Sequence, residues 1–305
     1  MFIICGVTIG MLLSVQTAIN AKLRVYTQSP IASAFISCMT SYLLLIVMLL
    51  IGNGVLGFRA PDFSKVSAWM FMGGFLGVVV LIGCIILFPV LGAIQTTVLP
   101  IFGQILMGVL TDCFGWFNAG KRPLSVLAMV GLGFLVVGIV FVVILPEKRT
   151  ILKNNTGSRK KWQIIGVLIG MASAMQASVN GRLGSATGSA LAASCINSTI
   201  VCTIILIICL YKHNFGNVIY AFSKKTPKWV FLGGVFGAAF VLANTMIIPV
   251  IGARMLMILS VTGQLLCSVL VEQFGWFSTC RKRIKSVQIM GLALMMLGIV
   301  LVKVL

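Results

Sequence analysis

The sequence predicts an all-α integral membrane protein, with ten transmembrane helices arranged as two inverted five-helix repeats. Three observations predict it. The 305-residue chain is 60% hydrophobic and 9% charged, with mean hydropathy +1.14, too little charge to cover a water-soluble surface of this length. Its apolar residues fall in continuous runs of about 20, the length a helix needs to cross about 30 Å of hydrocarbon. The chain also matches itself at a shift of 160 residues without a gap. Gln16-Thr17-Ala18-Ile19-Asn20 meets Gln176-Ala177-Ser178-Val179-Asn180. Trp69, Phe71, Gly73, Gly74 and Gly77 meet Trp229, Phe231, Gly233, Gly234 and Gly237, and Phe114-Gly115-Trp116-Phe117 meets Phe274-Gly275-Trp276-Phe277. Such self-similarity marks a tandem duplication.

The apolar runs place spans at about 2–20, 31–51, 66–88, 93–111, 125–145, 162–180, 190–210, 228–248, 253–271 and 286–304. Helices are preferred to a barrel because the runs are continuous and do not alternate. Segment 2–20 lacks a basic leader and has a counterpart in mid-chain, so it is read as a first span and not as a cleaved signal. The polar stretch 148–161 is read as a basic cytoplasmic linker between a first repeat, 1–147, and a second, 162–305. Five spans per copy is an odd number, so the second copy enters the bilayer inverted, an arrangement common among transporters. All five tryptophans, Trp69, Trp116, Trp162, Trp229 and Trp276, fall near span ends, where amphipathic rings favour the headgroup region.

Alternate loops divide the 23 Lys and Arg residues into 16 on one side, including the linker, and 7 on the other. The richer side is expected in the cytoplasm, with both termini extracytoplasmic in a plasma or inner membrane. The formal charge of +19 comes from basic residues lying between apolar runs. There is no basic helix of the kind that binds nucleic acid, and no such partner is expected. Nine cysteines lie scattered without a Cys-x-x-Cys, so neither a disulfide framework nor a metal site is suggested. Cys195, Cys202 and Cys209 repeat every seven residues and read as a packing stripe.

In lipid, helices associate through close backbone approach at small residues. Gly6-x3-Gly10, Gly166-x3-Gly170, Gly73-x3-Gly77 and Gly233-x3-Gly237 supply it. At about 100° per residue, Gly6, Gly10, Gln16 and Asn20 share one face, so the packing face of the first span is also its polar face. The sixth span repeats the pattern.

Charged residues within spans are the usual functional signal, and here they are nearly absent. Asp62 and Glu147 fall in loops, while Asp112 and Glu272 end the fourth and ninth spans. The single histidine, His213, lies in a basic loop. No carboxylate pair or nucleophile–base set is available, so an enzyme is not expected. No cofactor or metal is expected either. What remains is uncharged amides. Gln104 and Gln264 lie mid-span and either bond neighbouring helices or contact substrate at the midplane. Gln16 with Asn20, and Gln176 with Asn180, either cap and pair helices or line the pathway. Asp112 and Glu272 oppose the helix dipole and are expected to pair with Lys121 or Arg122 and with Arg281; the alternative is a gating or coupling role. Pro100, absent from the second copy, is expected to interrupt its span and free carbonyls near Gln104.

The Gln-x3-Asn ending of the first span, the Trp-x3-Gly-Gly-x2-Gly third span, Pro-x2-Gly-Ala, and Gly-Gln followed by Asp/Glu-x-Phe-Gly-Trp-Phe resemble the YdcZ-like branch of the drug/metabolite transporter superfamily. The resemblance covers both copies and implies a fused ten-span member with a DMT/EamA-like fold. It implies transport of a small organic solute. Small multidrug-resistance relatives couple to protons through a glutamate in the first span. Here Gln16 and Gln176 are the nearest polar residues. The expectation is therefore a secondary transporter working by alternating access, as a monomer or homodimer in the lipid bilayer, on a small-molecule substrate. Passive channel and non-transporting scaffold are the alternatives.

Overall fold

A computed structural model describes residues 2–55, 64–118, 125–145, 156–223, 226–251, 253–279 and 281–304. The described residues form α1 (Phe2–Thr27), α2 (Pro30–Val55), α3 (Met72–Leu91), α4 (Ala93–Phe114), α5 (Val126–Ile139, continued as a π-helical turn Val140–Ile144) and α6 (Thr156–Thr187). After these come α7 (Ala190–Tyr211), α8 (Phe215–Ser223), α9 (Gly233–Ile251), α10 (Ala253–Phe274) and α11 (Ser286–Val304). Short 3-10 turns, Ala68–Phe71 and Lys228–Leu232, lead into α3 and α9. Among the described residues eight helices are long and apolar enough to cross a membrane. Two further apolar stretches, Lys228–Ala243 and Ser286–Val302, are shorter. These two correspond to the eighth and tenth predicted spans.

Several helices outrun the apolar windows. α1 ends at Thr27 rather than 20, and α6 runs from Thr156 to Thr187 rather than 162–180. Hydropathy marks only the part in hydrocarbon, whereas backbone hydrogen bonding continues into the headgroup region. The stops are local. Gln28 and its repeat counterpart Gly188 both take positive φ, 54° and 71°, which ends a helix by turning the chain left-handed. Ser29 and Ser189 then cap the next helices, accepting from Ala32 N at 3.3 Å and Ala192 N at 3.2 Å. Gly115 and Gly275 repeat the device, at φ 67° and 69°, and so explain the Phe-Gly-Trp-Phe signature. The turn they make stacks Phe114 on Trp116 and Phe274 on Trp276, with ring centroids at 5.5 and 5.7 Å. α4 runs through Pro100 without a break, so the expected interruption is absent.

The chain divides into two compact units, each drawn from both sequence halves. Unit 1 holds residues 1–14, 87–171 and 247–305; unit 2 holds 15–86 and 172–246.

In unit 1, Gly10 of α1 meets the Ser260 carbonyl of α10, and Gly263 meets the Val7 carbonyl. The repeat-related contacts recur between α6 and α4: Gly170 meets the Pro100 carbonyl and Gly103 the Val167 carbonyl. α5 packs along α11 through Gly131, Gly138, Gly291 and Gly298. A Cβ built on Gly131 would lie 2.8 Å from the Gly298 carbonyl oxygen, and one on Gly138 would lie 2.7 Å from that of Gly291. The position rises along one helix as it falls along the other, so α5 and its repeat counterpart α11 run antiparallel.

In unit 2, α2 packs on α7, and Cys38 is joined to Cys202 with Cα atoms 6.0 Å apart. This bond corrects the expectation that the scattered cysteines form no disulfide, while Cys195, Cys202 and Cys209 are all buried, as a packing stripe requires. The pairing joins positions 164 residues apart, which no local spacing reveals. Exposed apolar side chains such as Leu43, Val47 and Leu50 of α2, or Val126 and Met129 of α5, are what a lipid solvent requires.

Where the missing Cβ is filled by a neighbouring carbonyl, nothing can yield. Gly10→Ala and Gly170→Ala should therefore each destabilise by about 1–3 kcal/mol, as overpacked interiors do. Gly133→Ala and Gly181→Ala meet nothing within 4 Å and should be neutral or stabilising by up to about 1 kcal/mol. Thermal unfolding of the four variants in one detergent checks the contrast.

Candidate functional site

Unit 2 gathers the amides of the first and sixth spans. Along α1 the face that presents Asn20 and Gln16 meets Gly233 and Gly237 of α9. A Cβ on Gly237 would lie 2.7 Å from Gln16 Nε2 and 2.8 Å from Ser41 Oγ, and Gly233 sits against Asn20 Oδ1. The second copy repeats this with α6 and α3. A Cβ on Gly77 would lie 2.8 Å from Gln176 Nε2, and Gly73 sits against Asn180 Oδ1. The Trp-x3-Gly-Gly-x2-Gly signature is thus the notch that receives the Gln-x3-Asn signature. A larger residue would exclude the amides.

These notches leave polar atoms open. Asn20 is 2% exposed, and its Oδ1, like those of Asn180 and Asn197, lies buried without a hydrogen-bond donor. Gly Cα–H contacts compensate weakly, and a buried acceptor without a donor costs about 1–3 kcal/mol. Asn197 was missed from the sequence. Its Oδ1 would lie 3.3 Å from a Cβ on Gly73, and its counterpart in the first copy is Ser37. This Asn/Ser mismatch at equivalent positions was the available signal. Ser33 Oγ donates to the Asn20 carbonyl at 2.7 Å, and Ser41 Oγ to the Gly234 carbonyl at 2.6 Å, so serines of α2 brace the same cluster.

One cation also enters unit 2. Pro89 lacks the N–H that would bond the Ile85 carbonyl one turn earlier in α3. The Arg24 guanidinium donates to that carbonyl at 3.3 Å. Read from the sequence as a loop charge that sets orientation, Arg24 closes a proline gap.

The other predicted residues lie in unit 1. Gln264 Nε2 donates to Ser260 Oγ at 3.5 Å, and Ser14 Oγ donates to the Gln264 carbonyl at 2.9 Å. Gln104 is engaged as well. Glu272 is 8% exposed, and its Oε2 accepts from Ile94 N at 2.9 Å. Ile94 lies in the first turn of α4, whose cap position Gly92 has no side chain to serve it, so a carboxylate from α10 does so. Negative charge suits that helix end. The ionic partner of Glu272 is Lys282, at 3.9 Å, and not Arg281 as expected. Arg281 Nε donates instead to the Gln273 carbonyl at 3.2 Å. Thr279 Oγ1 and Lys282 N bond the carbonyls of Val271 and Glu272. The basic loop therefore satisfies the last-turn carbonyls of α10. Asp112, the counterpart of Glu272, is exposed; its expected partners Lys121 and Arg122 lie outside the described residues. Among these residues no group of His, Cys, Asp and Glu could hold a metal ion.

A single family model, described as "Putative inner membrane exporter, YdcZ", matches the chain twice, over residues 1–141 and 161–301. The chain belongs to this DMT-type YdcZ family. Two matches 160 residues apart identify each half with one family unit. YdcZ membership and the long apolar helices make the chain a multi-pass membrane protein of transporter type. No curated protein sequence matches it. Among solved structures it is similar to one described only as "Crystal structure of protein". The likeness covers 98% of this chain and 97% of that one, at 16% identity and a TM-score of 0.54, and shows a shared fold.

Two predictions follow from the bonds themselves. Glu272→Ala should cost about 1–3 kcal/mol, because it strands a helix-end donor. Lys282→Gln should cost less than about 1 kcal/mol, the measure of a surface ion pair. Arg24→Gln should destabilise the native chain by about 1 kcal/mol more than it does a Pro89→Ala chain, in which residue 89 supplies the missing N–H. Thermal denaturation of the single and double variants measures both.

Proposed function

We propose that this YdcZ-family protein is a ten-span secondary transporter whose halves are inverted repeats. It moves a small neutral or zwitterionic organic solute by alternating access. The observation that carries the reading is the antiparallel run of α5 and α11, equivalent helices of the two copies. A two-fold relation that reverses one pair of equivalent helices is what an odd-span duplication requires. The eighth and tenth segments supply the remaining two spans, since their helical runs extend over residues 228–251 and 286–304. The charge distribution supports a cytoplasmic linker and extracytoplasmic termini.

Within this reading the solute's donors meet the open oxygens of Asn20, Asn180 and Asn197, with Gln16 and Gln176 beside them. Gln104 and Gln264, near the middle of α4 and α10 in unit 1, are a separate pair of candidate contacts. No acid stands within seven residues of these amides in the sequence, which favours a solute without strong positive charge. Proton coupling, where present, runs through Asp112 and Glu272.

Thermal-shift screening of the purified protein against a metabolite set identifies the ligand, because one that prefers the folded state raises its apparent stability. Flux of that ligand into proteoliposomes should then saturate with concentration. It should be lost in Asn20→Ala/Asn180→Ala and in Gln104→Ala/Gln264→Ala, with unchanged expression. Linear flux would make the protein a channel, and normal flux in both double variants would remove these amides from the pathway. Reporter fusions at Lys121 and Lys282 should report opposite compartments.

A further inference from the structure

Helix α8, Phe215–Ser223, has nine residues, far fewer than a bilayer crossing needs. It carries two apolar stripes. Val218 and Ala221 are buried, α8 packs on α2, and Phe215 approaches Phe35 with ring centroids 6.3 Å apart. The second stripe is Phe215, Ile219 and Phe222, spaced so that all three share one face at about 100° per residue. Their exposures are 40%, 59% and 65%. Asn217 and Tyr220 fall on the side of the helix away from this stripe at the same period. Phe222 stacks on Phe231 with centroids 4.8 Å apart, so the exposed stripe is anchored to the turn that leads into α9.

Charge surrounds this helix asymmetrically. Exposed Lys212 precedes it and exposed Lys228 follows it, and the sequence holds no acid between Glu147 and Glu272. The first copy differs. Its counterpart stretch from Val55 to Phe63 contains Pro61 and Asp62, and Gly52 and Ala68 stand where the second copy has Lys212 and Lys228. In sequence, lysines at the two positions that flank this helix, 212 and 228, are therefore a feature of the second copy.

We propose that α8 is an interfacial anchor for an anionic bilayer surface. Phe215, Ile219 and Phe222 lie in the acyl–headgroup boundary, and Lys212 and Lys228 lie at phosphate level. An apolar face flanked by cations is the pattern that binds such a surface, and long lysine stems reach headgroups while their methylenes stay in apolar surroundings. The inference rests on this helix and its flanks and stands whatever solute is transported.

The full-length protein is placed in nanodiscs of phosphatidylcholine, with or without phosphatidylglycerol, and amide exchange is followed across residues 215–223. Exchange should be at least about fivefold slower with phosphatidylglycerol, the factor that one lysine near an anionic surface contributes. The difference should vanish when the four flanking lysines of the sequence are replaced together, Lys212→Gln/Lys224→Gln/Lys225→Gln/Lys228→Gln, while the amides of α7 keep their protection. Ile219→Ser, which alters only an exposed side chain, should speed exchange of α8 in both bilayers. Equal exchange of the native protein in the two bilayers overturns the proposal. So does a lipid difference that survives the fourfold lysine variant.

Discussion

The structure depends on backbone-to-backbone contact at glycines. Inside a membrane, apolar side chains gain nothing by leaving lipid for each other, so association relies on dispersion and on polar groups brought close. Gly10 against the Ser260 carbonyl, Gly170 against the Pro100 carbonyl, and Gly103 and Gly263 against those of Val167 and Val7 are the places where this happens in unit 1. No side chain fits there. The same helices, α1 and α6, carry their amides further along one face, so the helical period that aligns Gly6 and Gly10 also delivers Gln16 and Asn20 to the notches of α9.

Duplication gives these contacts their form. Several contacts between the copies recur in exchange: Gly237 with Gln16 and Gly77 with Gln176, Gly233 with Asn20 and Gly73 with Asn180. One surface thus serves twice, as in an isologous dimer interface. Function is then most readable where the copies differ. Ser37 against Asn197 adds a second open amide oxygen to one side of unit 2. Arg24 against Gly184 charges one side only. Asp112 against Glu272 separates an exposed acid from a buried helix cap.

Cations in this protein do more than orient it. Counted as loop charges, Arg24, Arg281 and Lys282 explain which side of the membrane is basic. In the fold the Arg24 and Arg281 guanidinium groups also donate to backbone carbonyls, while Lys282 gives its backbone N–H to one and its ammonium to the Glu272 carboxylate. Arg24 serves the gap left by Pro89, and Arg281 and Lys282 serve the last turn of α10. In a low-dielectric solvent an unmet carbonyl is expensive, and positively charged loops next to helix C-termini meet that need while complementing the dipole.

Helix positions, the 160-residue repeat and the family were all legible from the chain, because hydropathy, glycine spacing and local motifs act over a few residues and survive without a fold. The Gly131/Gly138 and Gly291/Gly298 pairs were legible by the same spacing and went unused. Pairings between distant residues were not legible. Whether Glu272 reaches Arg281 or Lys282, that its carboxylate caps α4, that Cys38 meets Cys202, and that Arg24 finds Ile85 depend on which helices cross and at what height. Composition is silent about that geometry. Amide types and their faces came from the sequence by itself; only tertiary packing decided that Gln16 and Asn20 oppose α9 while Gln104 and Gln264 belong to the other compact unit. The physical reason is that periodicity determines which way a side chain points, whereas its partner is chosen by backbones that approach closely only where both lack a Cβ or expose a carbonyl.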